Sequence, residues 1–259
     1  MAVRSLTDKS DKFPAISGLA SALQMPEMGE YLAGVWSCNP FLSMAWFPSW
    51  AQDPPKIYQS PSWSCAWTTH QIVWYDDTWR RSGDMSSEAM SNWQLWEDRY
   101  GPRLLGHNMA LKNTNHPKGG VREGSSLTMV GHCRPIYVAD VPDSDYDYNF
   151  NEVAWAIGGS NKPGSRICMD QRANDCDAVC SFAADFPGVD KDYERDNVKK
   201  YLCVQIVRER KERGQRPKII GLVLKKAENS TEEAFRRVGL TDFDEPVDGE
   251  WVRRTLKLL

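Results

Sequence analysis

The chain has 259 residues, 41% hydrophobic and 26% charged, an ordinary globular composition with enough apolar side chains for one large core. A net charge of −3 and a pI near 5.9 supply no global field to draw a phosphate backbone, which argues against nucleic acid as a partner. No apolar run approaches the ~18 residues needed to cross a bilayer, and the opening MAVRSLTDKSDKFPA lacks the apolar stretch of a signal peptide, so a soluble, cytoplasmic protein without a membrane span is expected.

From Ser5 to Leu23, a cap at Thr7 or Ser10 followed by Ile16, Leu19, Ala20 and Leu23 at helical spacing predicts a short amphipathic helix that Pro26 ends. A second helical piece over Glu27 to Trp36 would place Met28, Tyr31, Leu32 and Val35 on one face, with Pro40 as its limit. Pro48, Pro54, Pro55 and Pro61 make a loop, so residues 1–60 read as a helical and loop lead-in packed on a barrel of strands. After Pro61 the period changes to two. Trp63, Cys65 and Trp67 alternate with small residues, and His70, Ile72 and Trp74 continue on the opposite parity, as a strand with a bulge would.

Further strands are predicted at Arg103 to Leu111, Ser125 to Val138, Val153 to Ile157, Arg166 to Met169, Tyr201 to Arg208, Lys218 to Lys226, Ala234 to Leu240 and Trp251 to Leu258. The run KYLCVQIVRERKERGQRPKIIGLVLKK holds two β-branched stretches around a charged connector with Gly214 and Pro217, the pattern of an antiparallel hairpin. Residues 140–152 and 170–198 read as long acidic loops. The fold class expected is therefore mainly β, an antiparallel β-barrel or sandwich with short amino-terminal helices, in a single β-rich domain over 1–259.

The chemistry-bearing signals are sparse. There is no Walker loop, no G-x-G-x-x-G after a strand, no H-E-x-x-H and no G-x-S-x-G, so no cofactor is implied. Asp143, Asp145 and Asp147 imitate a calcium loop, but Tyr148 stands where glycine is required and Ala154 where the bidentate glutamate belongs. Cys168, Cys176 and Cys180 could join His132 or His116 at a zinc, yet no C-x-x-C pair exists; the seven cysteines read as thiols. The basic turn Arg208 to Arg216 is interleaved with Glu209 and Glu212, as a solvated hairpin tip is. His70 and His132 fall inside predicted strands among apolar neighbours, where each is either a satisfied histidine or an acid/base or hydrogen-bonding group. Of eleven tryptophans, nine precede residue 100, and they form either a stiff core or the wall of a pocket.

Five ordered blocks carry a family resemblance: SDKFPAISGLASALQ with EYLAGVW, then YQSPSWSCAW, GSSLTMVGHCRPI, IGLVLKK with FRRVGL, and WVRRTLKLL. They resemble the carboxy-terminal, β-rich portion of fungal heterokaryon-incompatibility (HET-domain) proteins, over nearly the whole chain. The resemblance implies a fungal source and an antiparallel β architecture. It supplies no catalytic residues. Cys65 stands where the family has a second tryptophan, and the effector domain that precedes this region in family members is not in the sequence.

Two functions are expected. The first is a cofactor-independent cyclase of fungal secondary metabolism. It would fold a flexible, hydrophobic terpenoid or polyketide in an aromatic-lined barrel and promote an intramolecular [4+2] Diels-Alder cycloaddition, since holding a near-attack conformer alone removes ~7–11 kcal/mol of barrier in favourable cases. Trp63, Trp67, His70 and Trp74 would then bind substrate, and His132 or Tyr137 would polarise it. The alternative is a non-catalytic recognition or regulatory module related to heterokaryon incompatibility. Oligomeric state is not legible.

Overall fold

The computed structural model describes residues 12–48, 55, 57–68, 72–74, 99–139, 166–168, 181–184, 199–208, 218–228, 232–244 and 251–259. Helix α1, Lys12–Leu23, turns Phe13 into a small cluster with Ala33, Ala66 and Val121, Ile16 packs at its edge, and Ala20 is also buried. Leu19 and Leu23, expected on the buried face, are 62% and 64% exposed. The stripe that docks runs through positions 13, 16 and 20, and at 100° per residue Leu19 falls well off it.

The second predicted helix is absent. After a 3-10 turn over Pro26–Met28, the chain forms β1, Tyr31–Leu32, and β2, Val35–Trp36, an antiparallel pair. Ala33 at φ 52° and Gly34 at φ 109° make the two-residue turn between them, which needs positive φ at both central positions. The apolar set at 31, 32 and 35 serves a hairpin as well as a helix, and Gly34 decides between them. A side chain at Gly34 would also strike the Ser64 Oγ, 2.8 Å from where a Cβ would stand. Pro40 begins helix α2, Pro40–Ser43, with Asn39 Oδ1 accepting from Leu42 N at 3.4 Å. Strand β3, Trp46–Pro48, then pairs with β4, Ile72–Trp74, with Trp46 opposite Trp74.

The strand expected through Trp63, Cys65 and Trp67 is a run of tight turns instead. Ser64 N donates to Pro61 O at 3.1 Å, Trp67 N to Ser64 O at 2.9 Å and Ala66 N to Ser64 Oγ at 3.1 Å. The small residues that produce the alternation include serines, whose hydroxyls compete with ladder pairing for the local backbone.

The main sheet holds eight strands: β5, Arg103–Asn108; β6, Ser126–Ala139; β7, Arg166–Cys168; β8, Ser181–Ala184; β9, Lys199–Arg208; β10, Lys218–Lys226; β11, Ala234–Asp244; and β12, Val252–Leu258. Among the described residues the architecture is thus mainly β, with the two short helices α1 and α2 towards the amino end, as expected. The β9–β10 hairpin pairs as the sequence predicts. β8 falls inside the stretch that reads as an acidic loop; the predicted strand at Val153 to Ile157 and the loop at 140–152 lie outside the described residues. Strands β9, β10, β11, β12 and β6 are each paired to the next, and β6 pairs back to β9. The β11–β12 link is parallel and only two residue pairs long, Ala234 to Lys257 and Phe235 to Leu258. Register shifts at Ile220/Gly221 and Val223/Leu224 add coiling to these pairings, and a further shift lies at Leu104/Gly106 between β5 and β6. Leu127, Met129, Val204, Ile220, Leu222 and Leu256 of these strands are essentially without exposure and share one cluster with Phe41, Phe47 and Trp63 of the lead-in. No helix among the described residues is long and apolar enough to cross a membrane.

One buried cation joins the lead-in to this sheet. Arg237 of β11 is 2% exposed; its guanidinium lies 3.7 Å over the Trp46 ring, donates to Met44 O at 2.7 Å and also donates to Trp46 O. Trp46 Nε1 donates to Trp63 O at 3.2 Å, and Trp63 Nε1 to Leu32 O at 3.5 Å. Ser62 Oγ accepts from Arg237 N at 3.0 Å and donates to Leu259 O, while Leu259 N donates to Phe235 O at 2.9 Å. Replacing Arg237 by Met removes both donated hydrogen bonds and the contact with the indole, leaving Met44 O only its bond from Trp46 N at 2.9 Å, so R237M is expected to lose about 2–4 kcal/mol in urea unfolding. R237K should lose nearly as much, because an ammonium cannot stack on the indole and reach both oxygens. Unfolding midpoints equal to wild type for both variants would refute this role.

Candidate functional site

Strand β6 is flanked on both edges over the same residues, by β5 on one side and β12 on the other, which fixes which side chains share a face. Cross-strand partners lie on the same side of a sheet. Leu104, Met129 and Leu256 therefore form one inward row. Arg103, Val130 and Thr255 form an outward row, and His132 with Arg253 the next. The alternation along SLTMVGHC is what sets this up: Leu127, Met129, Gly131 and Cys133 are buried, whereas Val130 and His132 are half-buried. Gly131 is required on the inward side, since a Cβ there would sit 2.8 Å from the Val204 Cγ2.

His132 is held on this outer face. Its Nδ1 is 3.2 Å from Tyr100 O, and its ring meets the Tyr100 ring edge-on at 5.2 Å between centroids. Bonding to a carbonyl makes Nδ1 the protonated nitrogen and leaves Nε2 as the acceptor of the neutral ring. The Arg99 guanidinium lies 5.2 Å from the Tyr100 ring centroid. Arg253 is exposed and, like Arg99, is in no ion pair among the described residues, in contrast to Arg254 with Glu233 at 3.3 Å and Lys257 with Glu232 at 2.7 Å. The face thus combines an imidazole with two guanidiniums that no described acid neutralises.

The residues predicted from sequence do not converge on one site among the described residues. Trp63 is fully buried and spends its indole N–H on Leu32 O. Trp67 is half-buried in the 60–68 turns. Trp74 is 46% exposed at the end of β4. His132 stands on the outer face of β6. Tyr137 is in β6 opposite Cys168, but its side chain, like the whole of His70, lies outside the described residues. Arg253, Arg99 and Tyr100 are not among the residues that the sequence points to; setting the period-two pattern of WVRRTLKLL against GSSLTMVGHC places Arg253 outward, but not beside His132.

A second set of polar groups is buried. The hydroxyls of Tyr31 and Tyr58 have no hydrogen-bond partner among the described residues. Burial, then the nearby Cys65, pushes the Tyr31 phenol well above its usual range. Burial, then Glu123, against an opposing pull from Arg236, pushes Tyr58 up to about 12. The Tyr31 ring meets Trp36 edge-on at 5.1 Å, and Lys118 Nζ lies 5.9 Å from the Trp36 centroid. No three His, Cys, Asp or Glu side chains among the described residues are grouped to hold a metal ion.

No protein-family model, curated protein or solved structure matches this chain.

The cysteines differ in reactivity. Burial, opposed by Arg254, holds the Cys133 thiol up at about 12, while Cys38 is exposed. Only the thiolate alkylates. Brief iodoacetamide treatment at pH 8 followed by peptide mapping is expected to modify Cys38 and spare Cys133 until denaturant is added; equal labelling of both in the native protein would contradict the placement of β6.

Proposed function

We propose that the chain is a non-catalytic recognition module, related to the regulatory carboxy-terminal portion of heterokaryon-incompatibility proteins, that binds an anionic partner through the outer face of β5, β6 and β12. The observation that carries this reading is where the two kinds of side chain are spent. Leu127, Met129, Ile220 and Leu222 of the main sheet are spent in one core cluster with Phe41, Phe47 and Trp63 of the lead-in. Trp46 and Trp63 are committed to packing and to backbone carbonyls. Arg99, His132 and Arg253, by contrast, lie on or beside the outer face, with no described acid in an ion pair with either arginine. A fungal source and the family kinship rest on the sequence blocks alone.

Deleting the gene in its fungal host and restoring it as wild type or as Arg253→Glu tests the reading. Altered hyphal-fusion behaviour in both the deletion and R253E strains is expected, with an unchanged metabolite profile and a variant melting temperature within about 2 °C of wild type, as for a surface substitution. An uncyclised precursor accumulating in the deletion strain overturns it.

The second reading is the cofactor-independent cyclase, favoured by Tyr31. A buried hydroxyl with no partner among the described residues, kept protonated and set against an indole, is suited to donate one hydrogen bond to a substrate carbonyl, the role that the sequence suggests for His132 or Tyr137. An intramolecular [4+2] step then forms two C–C σ bonds at the expense of two π bonds, and the product is an isomer of the substrate with no co-reactant. Under this reading Tyr31→Phe lowers product about a hundredfold in the same strains. Stability of that variant stays within about 1 kcal/mol, because no protein hydrogen bond is lost. Normal product from Y31F removes this reading.

A further inference from the structure

Register gathers three donor groups at one spot on the outer face of β6. Arg253 stands directly opposite His132, so their Cβ atoms are about 5 Å apart on the same side of the sheet. The centroid of the His132 ring and the Arg99 guanidinium each lie 5.2 Å from the centroid of the Tyr100 ring, which brings Arg99 within reach of the same spot. Tyr100 O, 3.2 Å from His132 Nδ1, leaves Nε2 as the ring nitrogen that a ligand can meet. Two further cations stand nearby, Arg103 in the row of Val130 and Arg134 on β6, whose guanidinium lies 5.6 Å from the Trp251 centroid. Both have contacts of their own and add field rather than donors. On β12 itself, Arg254 is paired with Glu233 and Lys257 with Glu232.

Resting on the recognition reading above, we propose that Arg253, Arg99 and His132 bind a phosphate monoester carried on the partner protein, a phosphoserine or phosphothreonine, and that His132 makes this binding acid-dependent. A carboxylate has two oxygens and a single charge, which one guanidinium fork satisfies. A phosphomonoester carries about −1.5 to −2 charge on three acceptor oxygens, enough to engage both forks and a proton on His132 Nε2. In the neutral ring that nitrogen is an acceptor, so the imidazole takes up a proton in order to donate. The dianion favours the protonated ring, and affinity therefore rises as pH falls. Sites for free metabolites are concave, whereas this is the outward face of a sheet. A peptide carrying the phosphate can also rest on the adjoining row, half-buried Val130 and exposed Thr255.

The test uses the full chain and a fluorescein-labelled, end-blocked heptapeptide of Val and Ala with a central phosphoserine. Companion peptides carry Ser or Glu at the centre, and inorganic phosphate and phosphatidylcholine vesicles containing phosphatidic acid serve as competitors. The proposal expects saturable anisotropy with the phosphopeptide, none with the Ser peptide, and roughly tenfold weaker binding of the Glu peptide. Arg253→Gln should weaken phosphopeptide binding about tenfold while its melting temperature stays within about 2 °C of wild type, and Arg99→Gln should weaken it about threefold. Wild-type affinity should rise about threefold from pH 8 to pH 6.5, above the range near pH ~6 in which the phosphate itself takes a proton, and His132→Gln should remove that rise. No binding of the phosphopeptide, equal binding of the Glu peptide, undiminished binding to R253Q, or a pH response that survives H132Q each overturns the proposal. Competition by inorganic phosphate or by the vesicles at the phosphopeptide's own affinity assigns the site to a free anion or to a membrane and overturns it too. If the phosphopeptide does not bind while R253E still alters fusion behaviour, the phosphate is wrong and the recognition reading stands; if R253E is also silent, both fall.

Discussion

A guanidinium inside a hydrophobic core is costly unless its donors are used, and Arg237 meets that condition by facing backbone oxygens and an indole. The carbonyls of Met44 and Trp46 lie at the exit of a one-turn helix and the start of a short strand; Met44 O accepts from Trp46 N at 2.9 Å, and Arg237 adds a second donor to it. Arg237 reaches both at once because its donors are fixed in a planar fork. The position of β3 follows from this, and so does the orientation of the Trp46 ring. Trp46 then holds Trp63, and Trp63 holds the β1–β2 hairpin, so one side chain on β11 orders a chain of contacts reaching back to Leu32.

The sheet can be read from sequence and the lead-in cannot, for a physical reason. In β6 and β12 one face packs on the core, so apolar residues recur at every second position, whereas β9 and β10 are buried on both faces and read as continuous apolar runs bounded by charge. Between residues 26 and 68 the buried apolar residues, among them Leu32, Val35, Phe41, Met44, Trp46 and Trp63, follow neither period, and burial without a period carries no information about helix or strand. Ser60, Ser62 and Ser64 are buried through hydrogen bonds or turns, some of which link positions far apart in sequence, as Ser62 does with Leu259. Arg237 is hidden differently. Beside Arg236 in FRRVGL it looks like an exposed strand residue, but the register shift leaves Val238 as the extra residue. Phe235 and Arg237 therefore point inward before the shift, and Val238 and Leu240 after it. A strict alternation that counts from Val238 and Leu240 puts Arg237 in solvent.

The candidate site is legible only in part for the same reason. His132 stands out in the sequence as a polar residue within a strand, but its neighbours Tyr100 and Arg253 come from segments 32 residues before it and far beyond it, and register alone brings them together. Trp63 and Trp74 attract notice because tryptophan suits ligand walls, whereas the more informative tryptophan is Trp46, which contacts both segments.

The two functional readings ask opposite things of the fold. A cyclase needs an enclosed apolar space with one donor kept neutral, which Tyr31 provides chemically through its raised pKa. A recognition module needs the reverse, a rigid interior and available groups outside. A packed interior is what the coiled sheet supplies: register shifts in the β9–β10 and β10–β11 pairings bend the strands, and the two residue pairs of β11 and β12 lie where Phe235 and Leu259 are bonded and Ser62 is clasped. The weakest link of the sheet is thus reinforced by the lead-in itself. Stabilising interactions concentrated there fix β12, and through its seven-residue pairing with β6 they fix the row that carries His132 and Arg253. The buried arginine and the outward arginine are in this sense one design, the first ordering the scaffold on which the second is displayed.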